Sequence, residues 1–166
     1  MKYFRRIASD LVVGPALAEV AHKGSILWSM NQGQNIENVL RGYRGNANPE
    51  GTRTVPWEQF PNYPAVSKLL SEAMERLPST VTLERSRIRI LPPNSAMKAH
   101  RDTLAPNARR YQVCLQAGEA AFFAIKQEKC RFRAGELWLC DIRDRLHFVD
   151  NRSDLPRVVL VIDGFV

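Results

Sequence analysis

The feature that most constrains the fold is a change in hydrophobic periodicity near Val81. Before it, "GPALAEVAHKG" and "YPAVSKLLSEAMERLP" carry apolar residues at helical spacing, which predicts two packing helices. In the second segment, prolines stand near both ends and the apolar residues lie on one stripe, made of Val66, Leu69, Leu70, Met74 and Leu77. The first 80 residues are therefore interpreted as a helical preface followed by a loop.

From Val81 onward, short β-branched and aromatic segments are separated by turn residues. They are "VTLERSRIRIL", "AMKAHRD", "RRYQVCLQA", "AAFFAIK", "CRFR", "ELWLCDI", "LHFVDN" and "RVVLVIDGF". About eight such strands predict a mainly β fold, a double-stranded β-helix (jelly roll, cupin-like) with N-terminal packing helices. We expect residues 1–166 to form a single domain, with residues 81–166 as its β-helix core.

Composition limits the class of protein. An apolar share of 45% and a charged share of 25% are ordinary for one globular domain. No apolar run is long enough to span a bilayer and no signal peptide is apparent, so we expect a cytoplasmic protein without membrane association. The three cysteines suggest neither a disulfide framework nor a zinc site, and the net charge of +7 without a tight basic run makes nucleic acid an unfavoured partner.

A proline-rich, polar stretch at residues 43–64 is predicted to be irregular. Its aromatic residues, Trp57, Phe60 and Tyr63, favour a packed loop. Two roles stay open for this loop: a lid over a site, or a simple wrap around the core.

The motif "HRD" is the strongest chemical signal in the β half. Side chains alternate along a strand, so His100 and Asp102 are expected to project to one side. His147 is the only other histidine after Val81. Two histidines and a carboxylate form the facial triad that non-haem iron(II) oxygenases use. Ten residues after His147 stands Arg157; if their strands pair as a hairpin, it would lie roughly 10 Å along the sheet and suit the far carboxylate of a dicarboxylate.

The stretches "RIRILPPNSAMKAHRDT", "RRYQVCLQAG" and "AGELWLCDIRDRLHFVDNRSDLPRVVLVIDGF" resemble the aspartyl/asparaginyl β-hydroxylase family of 2-oxoglutarate- and iron(II)-dependent oxygenases. The resemblance implies that His100, Asp102 and His147 bind Fe(II) and that Arg157 anchors the distal carboxylate of 2-oxoglutarate. The presence of Asp102 favours hydroxylation over halogenation.

The resemblance also assigns residues around the co-substrate. Arg110 matches a family arginine that contacts it near the metal, with the neighbouring Arg109 as the second choice. Gln112 replaces a histidine that is frequent in the family, and as a neutral hydrogen-bonding group it is a candidate for contact with the co-substrate. Arg89 is a candidate for binding a substrate carboxylate, although Arg85, Arg87 and Arg89 also fit a charged outer face of the sheet.

The function implied is O2-dependent hydroxylation of a C–H bond of an amino acid, either free or within a peptide. One alternative is a cupin-like metal-binding or sensing module, or a metal-dependent isomerase, which would keep the histidines without oxygen chemistry. A second alternative is a nucleic-acid-binding β-barrel that uses the arginine-rich strand. Arg157 and Arg110 favour the oxygenase, because a pure metal-binding module does not need two arginines placed for a dicarboxylate.

Overall fold

The computed structural model describes residues 1–30, 53–102 and 104–166. In its first part the chain forms, in order, β1 (Phe4–Ala8), α1 (Gly14–Met30), β2 (Arg53–Pro56), a 3-10 helix (Trp57–Asn62) and α2 (Pro64–Glu75). The strands that follow are β3 (Thr82–Leu91), β4 (Ser95–His100), β5 (Ala108–Gln116), β6 (Ala121–Ile125), β7 (Glu128–Cys130), β8 (Leu137–Cys140), β9 (His147–Asn151) and β10 (Arg157–Phe165). Neither described helix is long and apolar enough to cross a membrane.

The strands form two antiparallel sheets. The major sheet has the order β1-β8-β5-β10-β3-β2, and the minor sheet has the order β4-β9-β6-β7. Chain neighbours such as β9 and β10 lie in different sheets, so the chain crosses repeatedly from one sheet to the other. This arrangement confirms the predicted double-sheet jelly roll with N-terminal helices.

The main hydrophobic core lies between the major sheet and the two helices. On β10, Val158, Leu160 and Ile162 are at most 3% exposed and belong to the same buried cluster as Val66 and Leu69 of α2. The alternate residues of β10 face the minor sheet instead. Because both faces of β10 are covered, its sequence is a nearly continuous apolar run rather than an apolar and polar alternation.

A second buried cluster lies between the two sheets and is rich in aromatic residues and cysteines. Phe132 stacks on Trp138 with ring centroids 5.4 Å apart, and Phe4 meets Phe123 edge to face at 5.6 Å. Cys140 belongs to this cluster, and all three cysteines are buried and free, as predicted. The cluster fills one part of the space between the sheets, and a pocket occupies another.

The predictions for the first 80 residues need correction. That part contributes two strands, β1 and β2, which extend the major sheet at its two edges. The stretch predicted to be irregular contains β2 and the 3-10 helix, and its Phe60 and Tyr63 are only 4% and 1% exposed because they pack in the main core. Residues 43–52, the remainder of that stretch, lie outside the described residues, and the choice between a lid and a wrap around the core stays open.

The segment "CRFR" is also not the predicted strand. The strand at this position is β7, which ends at Cys130. Phe132 instead places its ring against Trp138 in the cluster between the sheets. The sequence pattern of "CRFR" resembled a strand because Phe132 is buried, although this residue does not pair with another strand.

Leu160 tests the position of the main core. It is fully buried between β10 and the helices, so Leu160→Ala should lower the free energy of unfolding by about 2 to 5 kcal/mol. Leu155, which is 52% exposed, is the matched control, and Leu155→Ala should change the free energy of unfolding by less than about 0.5 kcal/mol. Urea denaturation followed by circular dichroism measures both. Equal losses for the two variants would contradict the assigned core.

Candidate metal centre and pocket

The three predicted metal ligands lie together at the paired ends of β4 and β9. His100 is the last residue of β4, His147 is the first of β9, and the two are direct cross-strand partners. Asp102 follows two residues beyond the end of β4. One candidate ligand atom from each residue lies within 4.8 Å of the others. The geometry therefore allows all three residues to reach one ion, and their role as iron ligands stays a prediction.

Backbone hydrogen bonds orient both imidazole rings. The Nδ1 atom of His100 is 2.7 Å from the carbonyl oxygen of Lys98, and that of His147 is 2.9 Å from the carbonyl oxygen of Arg145. A carbonyl oxygen only accepts, so each Nδ1 donates in this contact, and in the neutral form of either ring Nε2 then carries the lone pair. The Nε2 atoms lie 3.5 Å and 3.8 Å from Asp102 oxygens, which directs both lone-pair nitrogens to the same place.

The protonation states of the group suit a cation. Burial lowers the pKa of His147 to about 4, so that ring is neutral near pH 7 and free to donate its lone pair. Burial by itself would raise the pKa of Asp102, but the net effect of its neighbours, led by the positive charge of Arg110, is to lower that pKa. The Nη1 group of Arg110 donates a hydrogen bond to Oδ2 of Asp102. The group thus presents two imidazole nitrogens and one carboxylate, the donor set that suits Fe(II).

The two histidines open onto a pocket between the sheets. It contains about 510 Å³ of empty space, part of which is open to solvent. Four arginines line it, together with Gln112 and a set of apolar side chains; the arginines are Arg87, Arg89, Arg110 and Arg157. Apolar walls that carry a few convergent charged groups are typical of a site for a small anionic ligand.

Arg157 lies in this pocket and is only 4% exposed. Its Nη2 group donates to Oε1 of Gln112 at 3.1 Å, and its Cζ atom is 5.4 Å from the centre of the Phe132 ring. Within the described parts of the chain, no carboxylate forms an ion pair with it. Burial lowers the pKa of Arg157, as expected for a cation removed from water. A buried guanidinium without an ion-paired carboxylate favours the binding of a ligand that supplies one.

The route by which Arg157 reaches the site differs from the prediction. Because β9 pairs with β4 and β6 while β10 pairs with β3 and β5, the two strands do not form a hairpin. Arg157 and His147 instead line the same pocket from opposite sheets. The pairing assumption was wrong, whereas the expectation that the two residues share a site agrees with the geometry.

The other predicted site residues divide into two groups. Gln112 and Arg89 line the pocket, and Nη2 of Arg89 is 3.3 Å from Sδ of Met97. Arg109 points elsewhere, since its Nη1 group donates to the carbonyl oxygens of Pro106 and Ala108. A charged outer face on β3 is excluded for Arg87 and Arg89, which are each 8% exposed and line the pocket.

Asp163 is a buried site residue that the sequence analysis missed. Its carboxylate is 0% exposed and accepts hydrogen bonds from Arg85, Arg87 and Arg110. Burial would raise the pKa of Asp163, but these arginines hold it well below its usual range. The available signal was one acidic residue inside the apolar strand "RVVLVIDGF", because a carboxylate in a buried strand requires a cationic partner.

A double-sheet jelly roll that carries two histidines and a carboxylate beside an arginine-lined pocket is typical of non-haem metal oxygenases. Residues 35–165 match the model of the aspartyl/asparaginyl beta-hydroxylase family, so the chain belongs to that family and is an oxygenase. The family resemblance drawn from the motifs is confirmed. Among curated protein sequences, none matches the chain.

Solved structures support the fold. AviO1 from Streptomyces viridochromogenes Tue57 aligns with a TM-score of 0.62 at 14% identity, covering 99% of this chain and 90% of that one. A second solved structure is a prolyl hydroxylase from Trichoplax adhaerens in complex with a hypoxia inducible factor peptide fragment. It aligns with a TM-score of 0.60 at 14% identity, covering 98% of this chain and 83% of that one. EvdMO1 aligns with a TM-score of 0.60 at 13% identity. The alignment covers 99% of this chain but only 47% of EvdMO1.

Removing one histidine should distinguish metal binding from packing. His147→Ala and His100→Ala should each weaken Fe(II) binding by at least about tenfold while the fold persists, because both rings stand at the pocket and their Nε2 atoms point toward Asp102. His22→Ala, at an exposed position in α1, is the matched control and should bind Fe(II) as the wild type does. Anaerobic titration of the apoprotein measures the affinity. Wild-type affinity in His147→Ala would refute the assigned ligand set.

Proposed function

We propose that the protein is a 2-oxoglutarate- and Fe(II)-dependent dioxygenase that hydroxylates a C–H bond of an amino acid, either free or within a peptide. The observation that carries the proposal is Arg157. It is a buried guanidinium without a carboxylate partner among the described residues, and it lines the same pocket as His100 and His147. A dicarboxylate whose other end reaches the metal would satisfy both ends of this pocket. Residues 1–166 form a single oxygenase domain in this proposal.

His100, Asp102 and His147 would hold Fe(II), because they supply three suitable donor atoms within reach of one another. When bound, iron supplies the activation of O2 that couples conversion of 2-oxoglutarate to succinate and CO2 with hydroxylation of the substrate. The protein keeps the His147 ring neutral and the Asp102 carboxylate ionised, and it presents the three donors at the paired ends of two strands. That preorganisation is the chain's own contribution to the chemistry.

The co-substrate would be oriented by residues on the major sheet. Arg157 would bind the distal carboxylate of 2-oxoglutarate through two parallel N–H groups. Gln112 accepts a hydrogen bond from Arg157 and so fixes the plane of the guanidinium, which gives it a role in holding the anchor. Val149, Val159 and Val161 line the same pocket and limit the entry of water around the ion pair, which strengthens it.

The substrate would enter the remaining part of the pocket. Arg89 lines this pocket and is our candidate for contact with a substrate carboxylate. The limited empty space favours a compact group, such as a free amino acid or one residue of a peptide. The Trichoplax prolyl hydroxylase, which shares the fold, was solved in complex with a peptide fragment.

Anaerobic spectroscopy tests the proposal directly. Addition of Fe(II) and 2-oxoglutarate together to the apoprotein should produce a weak visible charge-transfer band that Fe(II) alone does not produce. Under air, a member of an amino-acid and peptide panel should raise succinate formation above the uncoupled background. A folded protein that binds Fe(II) but gives neither the band nor succinate would instead be a metal-binding module or a metal-dependent isomerase.

Arg157 provides the sharpest variant. Arg157→Met should raise the 2-oxoglutarate concentration required for the band by at least about 30-fold, because loss of one partner of a buried charge pair costs roughly 2 to 5 kcal/mol. Arg157→Lys should recover only part of the affinity, since an ammonium group lacks the planar pair of donors.

Arg152→Met is the matched control, because the Arg152 side chain is 76% exposed and pairs with Asp150 at the surface. It should leave the 2-oxoglutarate requirement unchanged. An unchanged requirement in Arg157→Met as well would transfer the anchoring role to another pocket arginine.

A further inference from the structure

We propose that Asp163 is a positioning residue of the metal centre, which acts through Arg110 to fix the orientation of Asp102. This inference rests on the proposed function, because it assumes that Asp102 is a metal ligand. It gives a functional role to a buried carboxylate that contacts neither His100 nor His147 in the described structure.

Three strands bring the participating groups together. Asp163 on β10 is paired in register with Arg110 on β5 and with Arg85 on β3. Directly after Asp163, the register of β10 shifts at a bulge, where a side chain at Gly164 would meet the backbone oxygen of Thr82 at 2.9 Å. Asp163 is therefore held at a defined point of a central strand rather than in a loop.

The contacts of Arg110 form a direct bridge between the two carboxylates. Its Nε and Nη2 groups donate to the two oxygens of Asp163 at 2.6 Å and 2.9 Å, and its Nη1 group donates to Oδ2 of Asp102. A guanidinium is planar and rigid, so two parallel bonds to Asp163 fix its plane and its rotation. The direction of the Nη1 donor toward Asp102 follows from that plane.

Asp102 needs this support more than the histidines do. His100 and His147 belong to paired strands, and each ring is held by a hydrogen bond to a backbone carbonyl. Asp102 lies beyond the end of β4, outside regular secondary structure. With Oδ2 held by Arg110, Oδ1 lies 3.5 Å from Nε2 of His100 and Oδ2 lies 3.8 Å from Nε2 of His147. The bridge thus fixes how the carboxylate faces the two rings.

The negative charge of Asp163 should also favour metal binding, in addition to its effect on the orientation of Arg110. A guanidinium next to a ligand carboxylate repels a divalent cation, and a buried carboxylate on its other side offsets that repulsion. Asp163 is fully buried and supplies this negative charge from the side of Arg110 opposite to Asp102. Loss of the Asp163 charge should therefore weaken metal binding both by releasing Arg110 and by leaving its charge uncompensated.

Asp163→Asn tests the proposal with Co(II) as the probe under anaerobic conditions. The variant keeps the shape of the side chain but removes its charge and one of its two acceptors. We expect a roughly 10- to 100-fold weaker Co(II) affinity and a changed visible d–d spectrum, the size of effect typical of partners that support metal ligands. Arg85→Gln is the matched control, since Arg85 also binds Asp163 but its side chain is 40% exposed; both readouts should stay as in the wild type.

Arg110→Gln provides a second test that leaves Asp163 paired with Arg85 and Arg87. It should reproduce the weaker affinity and the changed spectrum even if Asp163→Asn fails to fold. In the double variant Arg110→Gln/Asp163→Asn, the Co(II) affinity should equal that of Arg110→Gln within about twofold, because Asp163 acts through Arg110.

A purely structural role for Asp163 predicts a different result. Folded Asp163→Asn would then lose stability toward urea but keep the wild-type affinity and Co(II) spectrum, and this outcome would overturn the proposal. A wild-type spectrum in Arg110→Gln would overturn it as well. Failure of the proposed function is separable, because it is read from the wild-type protein alone, as metal binding without the 2-oxoglutarate band or succinate formation, whereas the Asp163 test compares Co(II) binding between variants.

Discussion

Side-chain alternation along β10 is the constraint on which the rest of the structure depends. One set of alternate residues packs against the helices, whereas Arg157, Val159, Val161 and Asp163 face the minor sheet. Both edges of β10 are paired, so a slip of one residue would exchange the core with the site. The nine residues of β10 therefore contribute to both the core and the pocket, and a shift in their register would alter both.

The charges on the inner face are arranged in two different ways. At one end of β10, Asp163 accepts hydrogen bonds from three arginines, and the network extends to Asp102 through Arg110. At the other end, Arg157 is held by a neutral amide and an aromatic ring. Buried charges are stable when they are paired, so the arginines at the first end already have carboxylate partners within the protein, whereas the second end is suited to a ligand carboxylate. In the proposed function, this difference separates the part of the pocket that would support the metal from the part that would receive the co-substrate.

Local patterns in the sequence predicted most of the strands, both helices and the cluster of His100, Asp102 and His147. They did so because periodicity and close ligand spacing are local properties. Pairing between strands is not local, which explains the wrong hairpin between β9 and β10 and the absence of β1 and β2 from the prediction. Asp163 was missed for the same reason, since Arg110 and Arg85 lie 53 and 78 residues away in the chain. Nothing near Asp163 in the sequence indicates that these cations meet it.

Anomalous diffraction from anaerobic crystals grown with Mn(II) and 2-oxoglutarate would test the account most directly. We expect one anomalous peak bound by Nε2 of His100, Nε2 of His147 and a carboxylate oxygen of Asp102. We also expect the keto-acid end of 2-oxoglutarate on that ion and its distal carboxylate on Arg157. A metal bound elsewhere, or a distal carboxylate that does not contact Arg157, would contradict the account.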